Sequence, residues 1–316
     1  MDDSRPAGAP PWRLFDPCPC GSNRQFVGCC MTPGQGLYVQ VPPLLPKAPA
    51  TGYAHPRCYL RRTRDCSTDI SAEHFISKVV LEAMGGSIEF IGLPWKSPGE
   101  IATLRPNNLV SNILCSRHNN SLSPLDAAAG RTFRILQEIS RDITPHNPSR
   151  ATDGRWFLIS GEALELWCLK TLFGLFHAKV ATHNGTRLID THTLDTDRFL
   201  QALQHRRLPA PCGLYLQAVK AGIISDVHES VSVSPMGSED GKRVAGVTVG
   251  LNRLSFQVVL NSAGINFGLM RQLALYHPWQ LLFRNRFRQH MLVMTWRDRQ
   301  AADQVVEFST EAPTAT

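Results

Sequence analysis

The sequence contains no uninterrupted apolar run long enough to cross a bilayer. Its most apolar stretch, Trp156 to Phe176, is broken by Glu162, Glu165 and Lys170, which rules against a membrane span. The opening MDDSRPAGAPPW has acidic residues and prolines where a secretory signal needs a basic start and an apolar run, so the chain reads as cytoplasmic. A phosphate-binding glycine loop, a dinucleotide fingerprint and a Gly-x-Ser-x-Gly elbow are all missing, as is any internal repeat.

Cysteine is what the chain has in quantity. Nine cysteines in a cytoplasmic chain favour metal binding over disulfides. If His118 joins seven of them, the ligands sort into two groups of four, leaving Cys168 and Cys212. A length of 316 residues makes two domains a reasonable expectation, and a hydrophobic content of 43% says most of the chain folds around a core. The formal charge of +7 points to polyanionic partners, though the arginines are spread out.

The first group lies in DPCPCGSNRQFVGCC, where Cys18, Cys20, Cys29 and Cys30 fall within thirteen residues. Four thiolates can surround one tetrahedral Zn²⁺ at about 2.3 Å each, and the metal supplies folding energy that so small a unit lacks. Gly21 allows a tight turn after the first pair, and Phe26 can cover the sulfurs. The stretch resembles the SEC-C motif: Cys-Pro-Cys-Gly-Ser is intact at Cys18 to Ser22, and the interval from Cys20 to Cys29 fits. The resemblance implies zinc binding and allows a protein partner through the knuckle. Pro33, Pro42, Pro43, Pro46 and Pro49 then predict a semi-rigid extended spacer, with the knuckle a mobile appendage.

The second group belongs to a longer constellation. SAEHFIS places Glu73 beside His74; NNLVSNILCSRHNN follows, with Asn108 before Leu109 and Cys115-x-x-His118-Asn119 after. Phosphodiester hydrolysis needs a base near a water and a hard cation on the phosphate oxygens. Histidine suits the first task, and carboxylate and amide oxygens suit Mg²⁺. The order Glu-His, Asn-Leu, Cys-x-x-His-Asn resembles the HNH endonuclease motif, whose fold is a two-stranded hairpin and a helix gripping one catalytic metal. Carried over, His74 is the general base, Glu73 a metal ligand, Asn108 the central asparagine and Asn119 the final ligand. Cys58, Cys66, Cys115 and His118 form the structural zinc site. The sequence departs from the motif in several places. Seven residues separate Cys58 from Cys66, Ser77 stands where proline is usual, no lysine follows Asn119, and Asn112 competes with Asn108. Arg57, Arg61, Arg62 and Arg64 can hold a phosphate backbone near this unit or form a solvated basic loop.

The chain is therefore expected to be α+β, in five parts: a zinc knuckle over residues 1–36, a linker over 37–54, an HNH-like ββα-metal unit over 55–142, a C-terminal α+β domain with a buried helix and antiparallel strands over 143–308, and a disordered tail over 309–316. Within the HNH-like unit, Lys78 to Met84 is a short helix, and Gly86 to Pro106 is a loop-rich insertion. Ser123 and Pro124 suit a helix start. Further on, Glu162 to Lys179 is a helix apolar on nearly every side, which buries Cys168 in the core. Val244–Gly250 and Leu254–Leu260 alternate as an antiparallel hairpin turning at Asn252. In FRNRFRQH, Arg284, Arg286 and Arg288 share one face if the segment is extended, with Phe283 and Phe287 inward. Two functions are consistent with these residues: a metal-dependent HNH-type DNA endonuclease with two structural Zn²⁺ and a catalytic Mg²⁺-like ion, or an inactive two-zinc adaptor that binds nucleic acid or protein.

Overall fold

In a computed structural model of the protein, the described residues are 11–32, 36–85, 88–97, 99–143, 154–183, 186–217, 230–238, 241–252, 254–263, 265–285, 287–298 and 304–309. The fold is mixed α+β, and its buried apolar side chains form one continuous cluster from Cys18 to Phe308.

Short strands β1 (Met31–Thr32) and β2 (Gly36–Leu37) pair antiparallel beside the first cysteines. Next come β3 (Ile70–His74), α1 (Lys78–Ala83), a small antiparallel hairpin β4 (Ile88–Phe90) and β5 (Ala102–Leu104), and then β6 (Val110–Cys115), which runs directly into α2 (Ser116–Ile143). β3 and β6 pair antiparallel, with Ile70 opposite Cys115 and His74 opposite Val110, and an irregularity between Ser71 and Glu73. The result is a two-stranded ribbon followed at once by a helix. Gly130 in α2 permits close packing on α1, since a Cβ there would lie 2.6 Å from Val79 Cγ2.

The remaining chain begins with β7 (Arg155–Ser160) and α3 (Gly161–His177). It continues through β8 (Thr182–His183), β9 (Thr186–Arg187), α4 (Leu188–Thr191), β10 (Thr193–Leu194) and α5 (Thr196–His205). β11 (Gly213–Gln217), β12 (Val231–Gly237), β13 (Arg243–Leu251), β14 (Leu254–Val259), α6 (Phe267–Leu273) and β15 (Ala274–Tyr276) follow. The last strands are β16 (Gln280–Arg284), β17 (Gln289–Thr295) and β18 (Val305–Ser309). One sheet runs β10-β13-β14-β11-β15, with β12 also on β13; the other runs β18-β16-β17-β7. α3 packs against both sheets and α2, and every residue of it except His177 is buried. Ser160 caps it by accepting the Ala163 N–H at 3.2 Å.

The β13–β14 hairpin, the all-round burial of α3 and the burial of Cys168 agree with the sequence reading. Asn252 occupies the turn with φ 44, a left-handed conformation that asparagine tolerates better than most residues. Other expectations are corrected. The C-terminal strands are not all antiparallel: β7 with β17, β16 with β18, and β10 with β13 pair parallel. α2 starts at Ser116 rather than Ser123, so Pro124 lies inside it. The carbonyl that Pro124 cannot engage, Asn120 O, accepts the Ser123 hydroxyl at 2.9 Å instead, which offsets the missing bond. FRNRFRQH is not a continuous strand. The chain turns between β16 and β17, where Asn285 Oδ1 accepts the N–H groups of Phe287 and Arg288. Phe283 is therefore buried while Phe287 is exposed, and Arg288 is drawn inward to Asp142 O at 3.2 Å. Arg286 and the tail beyond Ser309 lie outside the described residues.

The proline spacer is not free. Val41 and Leu44 are buried, Arg206 donates to Val41 O at 3.0 Å, and Arg117 donates to Pro49 O at 2.9 Å. The knuckle docks as well. Trp12 sits edge-on to Phe26 and Trp156, and the half-buried Arg131 guanidinium donates to Pro19 O; just beyond, in the spacer, Val39 N donates to Thr295 Oγ1 at 2.9 Å. Proline fixes the spacer's φ angles, but its apolar side chains gain more by burial than an extended tether gains by solvation.

Candidate metal centres and the Glu73 site

Cys18, Cys20, Cys29 and Cys30 converge, with every sulfur within 4.8 Å of the others. The Cys20–Cys29 and Cys29–Cys30 separations are 3.6 and 3.9 Å. Bonds of about 2.3 Å arranged tetrahedrally put sulfurs about 3.8 Å apart, whereas a disulfide needs about 2.05 Å. The spacing therefore fits one bound ion and no disulfide. Ser22 Oγ lies 3.0 Å from Cys29 Sγ, and the Arg131 cation approaches the cluster from α2, opposing the negative charge a tetrathiolate centre carries.

Cys58, Cys66, Cys115 and His118 form the second group, all buried. His118 Nδ1 lies 3.6, 3.7 and 3.1 Å from the three sulfurs. Its other nitrogen, Nε2, is 3.0 Å from Thr63 Oγ1, whose own hydroxyl donates to Leu60 O at 2.9 Å. With that proton committed, Nε2 must be the protonated nitrogen and Nδ1 presents its lone pair to the sulfurs, as a metal ligand requires. Burial pushes the His118 pKa down to about 4, keeping the ring neutral. The wide gap between Cys58 and Cys66 is closed by a 3₁₀ turn at Arg61–Thr63, and the Arg117–Asp65 pair at 2.9 Å fastens the loop to α2. Both donor sets, thiolate-rich and tetrahedral in spacing, suit zinc.

The four residues carried over as catalytic sit on this scaffold, Glu73 and His74 in β3, Asn108 in the 3₁₀ turn before β6 and Asn119 in α2. Glu73 faces inward. Its Oε1 is 2.6 Å from Lys170 Nζ on α3, and the same ammonium lies 2.7 and 2.6 Å from Asp126 Oδ1 and Oδ2 on α2. Ser77 donates to Asp126 and accepts Trp167 Nε1 at 2.6 Å, which completes a buried polar network. Burial raises the Glu73 pKa, and the Lys170 charge opposes that rise. For Lys170 burial acts downward, but Asp126 and Glu73 outweigh it and hold its pKa above the ordinary value. The place beside Glu73 thus already holds a cation, the chain's own.

His74, next along the strand, leaves on the opposite side. Its Nε2 is buried with no hydrogen-bond partner among the described residues, and burial, with Lys78 nearby, lowers its pKa. Asn119, in the first turn of α2, donates to Ser71 Oγ at 2.7 Å. Asn108 is exposed in the 3₁₀ turn Pro106–Asn108, and Asn112, its competitor, is exposed on β6 with its carbonyl accepting Arg57 Nε at 3.3 Å. Among the described residues, the two sulfur-rich groups are the only sets of three or more His, Cys, Asp or Glu side chains within reach of one ion.

Sequence reasoning missed Lys170, Asp126 and Ser77 as a unit. The signal was a lysine in a helix apolar on every side, a position that demands a buried anionic partner. No helix of the described residues is long and apolar enough to cross a membrane. No family model matches the chain, and neither does any curated protein or solved structure.

Proposed function

We propose that this chain is a zinc-stapled binding module, built on an HNH-like hairpin-and-helix unit in which an internal ammonium stands where a catalytic cation would sit. The observation that carries the reading is Lys170 Nζ at 2.6 Å from both Glu73 Oε1 and Asp126 Oδ2. A divalent ion placed there would meet a buried like charge in a medium that screens poorly, so Glu73 cannot serve as its ligand while Lys170 stays. The proposed partner is DNA, supported by the net charge of +7 and by Arg57, Arg61 and Arg62 on the second metal loop. Exposed Leu14 and Phe15 on the SEC-C-like knuckle support a protein partner at that end.

A second reading, hydrolysis of DNA by an HNH-type endonuclease with His74 as base and a Mg²⁺-like ion, is favoured by the strand–strand–helix order of β3, β6 and α2, which matches what the motif implies. One assay separates the two. Zinc-loaded protein is incubated with plasmid and linear DNA in Mg²⁺ and in Mn²⁺, and binding is followed on the same DNA by gel shift. Retarded but intact DNA supports the binding module. Cleavage that disappears in His74→Ala, with zinc content unchanged, replaces it with the endonuclease.

A further inference from the structure

Beside the second metal group lies a cleft of about 630 Å³, lined by the arginines on which the DNA-binding reading also rests. Arg57, Arg61 and Arg62 reach it from the metal loop, and Arg243 from β13. Asp195, Asp197 and Asn261 supply the facing polar groups. We propose that this cleft binds a phosphate ester of nucleotide size, held through its phosphate by the metal-loop arginines.

Three observations carry the proposal. The first is how the arginines are held. Arg57 donates from Nε to Asn112 O at 3.3 Å, and Arg61 from Nη1 to Pro56 O at 2.9 Å. Bonds to neutral carbonyls orient a guanidinium without cancelling its charge, and each keeps further N–H donors for a phosphate. The second is the state of the acids. Asp195 is spent within the fold: Oδ1 accepts Arg198 N at 2.9 Å as the cap of α5, and Oδ2 accepts Asn261 Nδ2 at 3.1 Å. Asp197 instead pairs with Arg62 across the cleft, and both side chains are more than half exposed. An exposed pair of this kind contributes little and is readily exchanged, so an incoming phosphate can take Arg62 from Asp197. The third is size. The volume falls among sites that enclose one small molecule, roughly 300–1,000 Å³. A free nucleotide and the phosphorylated end of a strand fit the chemistry equally.

The test uses the full zinc-loaded chain and a fluorescent N-methylanthraniloyl AMP, with a 5′-phosphorylated single strand and its 5′-hydroxyl twin as competitors. Arg62→Gln should weaken probe binding about tenfold, the worth of one charge-assisted hydrogen bond. Asp197→Asn should tighten it about threefold by removing a competing anion from an exposed rim, a gain that misfolding would not mimic. Competition by the 5′-phosphorylated strand alone supports the site and assigns it to a strand end. Binding of the probe with no competition from either strand supports it as a free-nucleotide site. Two results overturn it: neither the probe nor the phosphorylated strand binds, or binding is indifferent to both substitutions. Either would leave the DNA-binding reading standing, because that reading is judged by gel shift.

Discussion

Replacing Lys170 with methionine keeps the length and apolar stem of the side chain and deletes its charge. The ammonium is almost fully buried, at 2.6 Å from Glu73 and 2.6 Å from Asp126. Asp126 retains partial contact with water, so its carboxylate can be resolvated; Glu73 is only 5% exposed and cannot. The cheapest escape for Glu73 is to take up a proton. At pH 7, neutralising a carboxyl of ordinary value 4.5 costs about 3.4 kcal/mol, at about 1.36 kcal/mol per unit. That agrees with the roughly 3–5 kcal/mol found when one partner of a buried ion pair is removed. At pH 5 the same step costs about 0.7 kcal/mol. Lys170→Met should therefore lose about 3 kcal/mol of unfolding free energy at pH 7 and less than about 1 kcal/mol at pH 5, read from urea midpoints of wild type and variant at each pH. Glu73→Gln in the same chain should recover most of the loss at pH 7, because the buried charge is gone. A loss that is small at pH 7, or equal at both pH values, would refute the argument that Lys170 is the counter-ion of Glu73.

Three further outcomes follow. Purified protein should carry near two zinc per chain, since two four-ligand groups are present; Cys20→Ser and Cys66→Ser should each lower the metal analysis toward one. Arg131→Ala removes the guanidinium that donates to Pro19 O. It should cost about 1–3 kcal/mol of knuckle docking, seen as faster proteolysis near residue 20 while the rest of the chain resists. Burial lifts the Glu162 pKa to about 7 from 4.5. A carboxyl whose folded value is raised binds more protons folded than unfolded between those two values, so its contribution falls as pH rises through that window. Glu162→Gln should flatten the decline in unfolding free energy between pH 5 and pH 8, by about 1–3 kcal/mol relative to wild type; parallel curves for the two proteins would contradict the assignment.

Both metal groups were legible in the sequence because thiolate clusters declare themselves by residue type, and few other arrangements place four cysteines in thirteen positions. Hairpin β13–β14 and helix α3 were legible for a related reason: alternation and all-round apolarity are local patterns. What escaped was long-range. Nothing near Glu73 announces that Lys170, nearly a hundred positions later, will occupy its carboxylate. Likewise, the prolines of the spacer say how the chain bends there but not that Val41 and Leu44 find a core to enter. The start of α2 was misplaced because Ser123-Pro124 is a good local cap, overridden once β6 delivers Cys115 and His118 to the same ion site. The parallel pairings of β7 and β18 depend on crossovers that no local pattern encodes.

The account turns on whether a divalent cation can reach Glu73 while Lys170 is in place. Titrating the zinc-loaded chain with Mn²⁺ and counting bound ions by electron paramagnetic resonance asks this directly. The account predicts no tight Mn²⁺ site in wild type, and no change on Glu73→Gln or Asn119→Ala. One tightly bound Mn²⁺ per chain, lost in either variant, would contradict it.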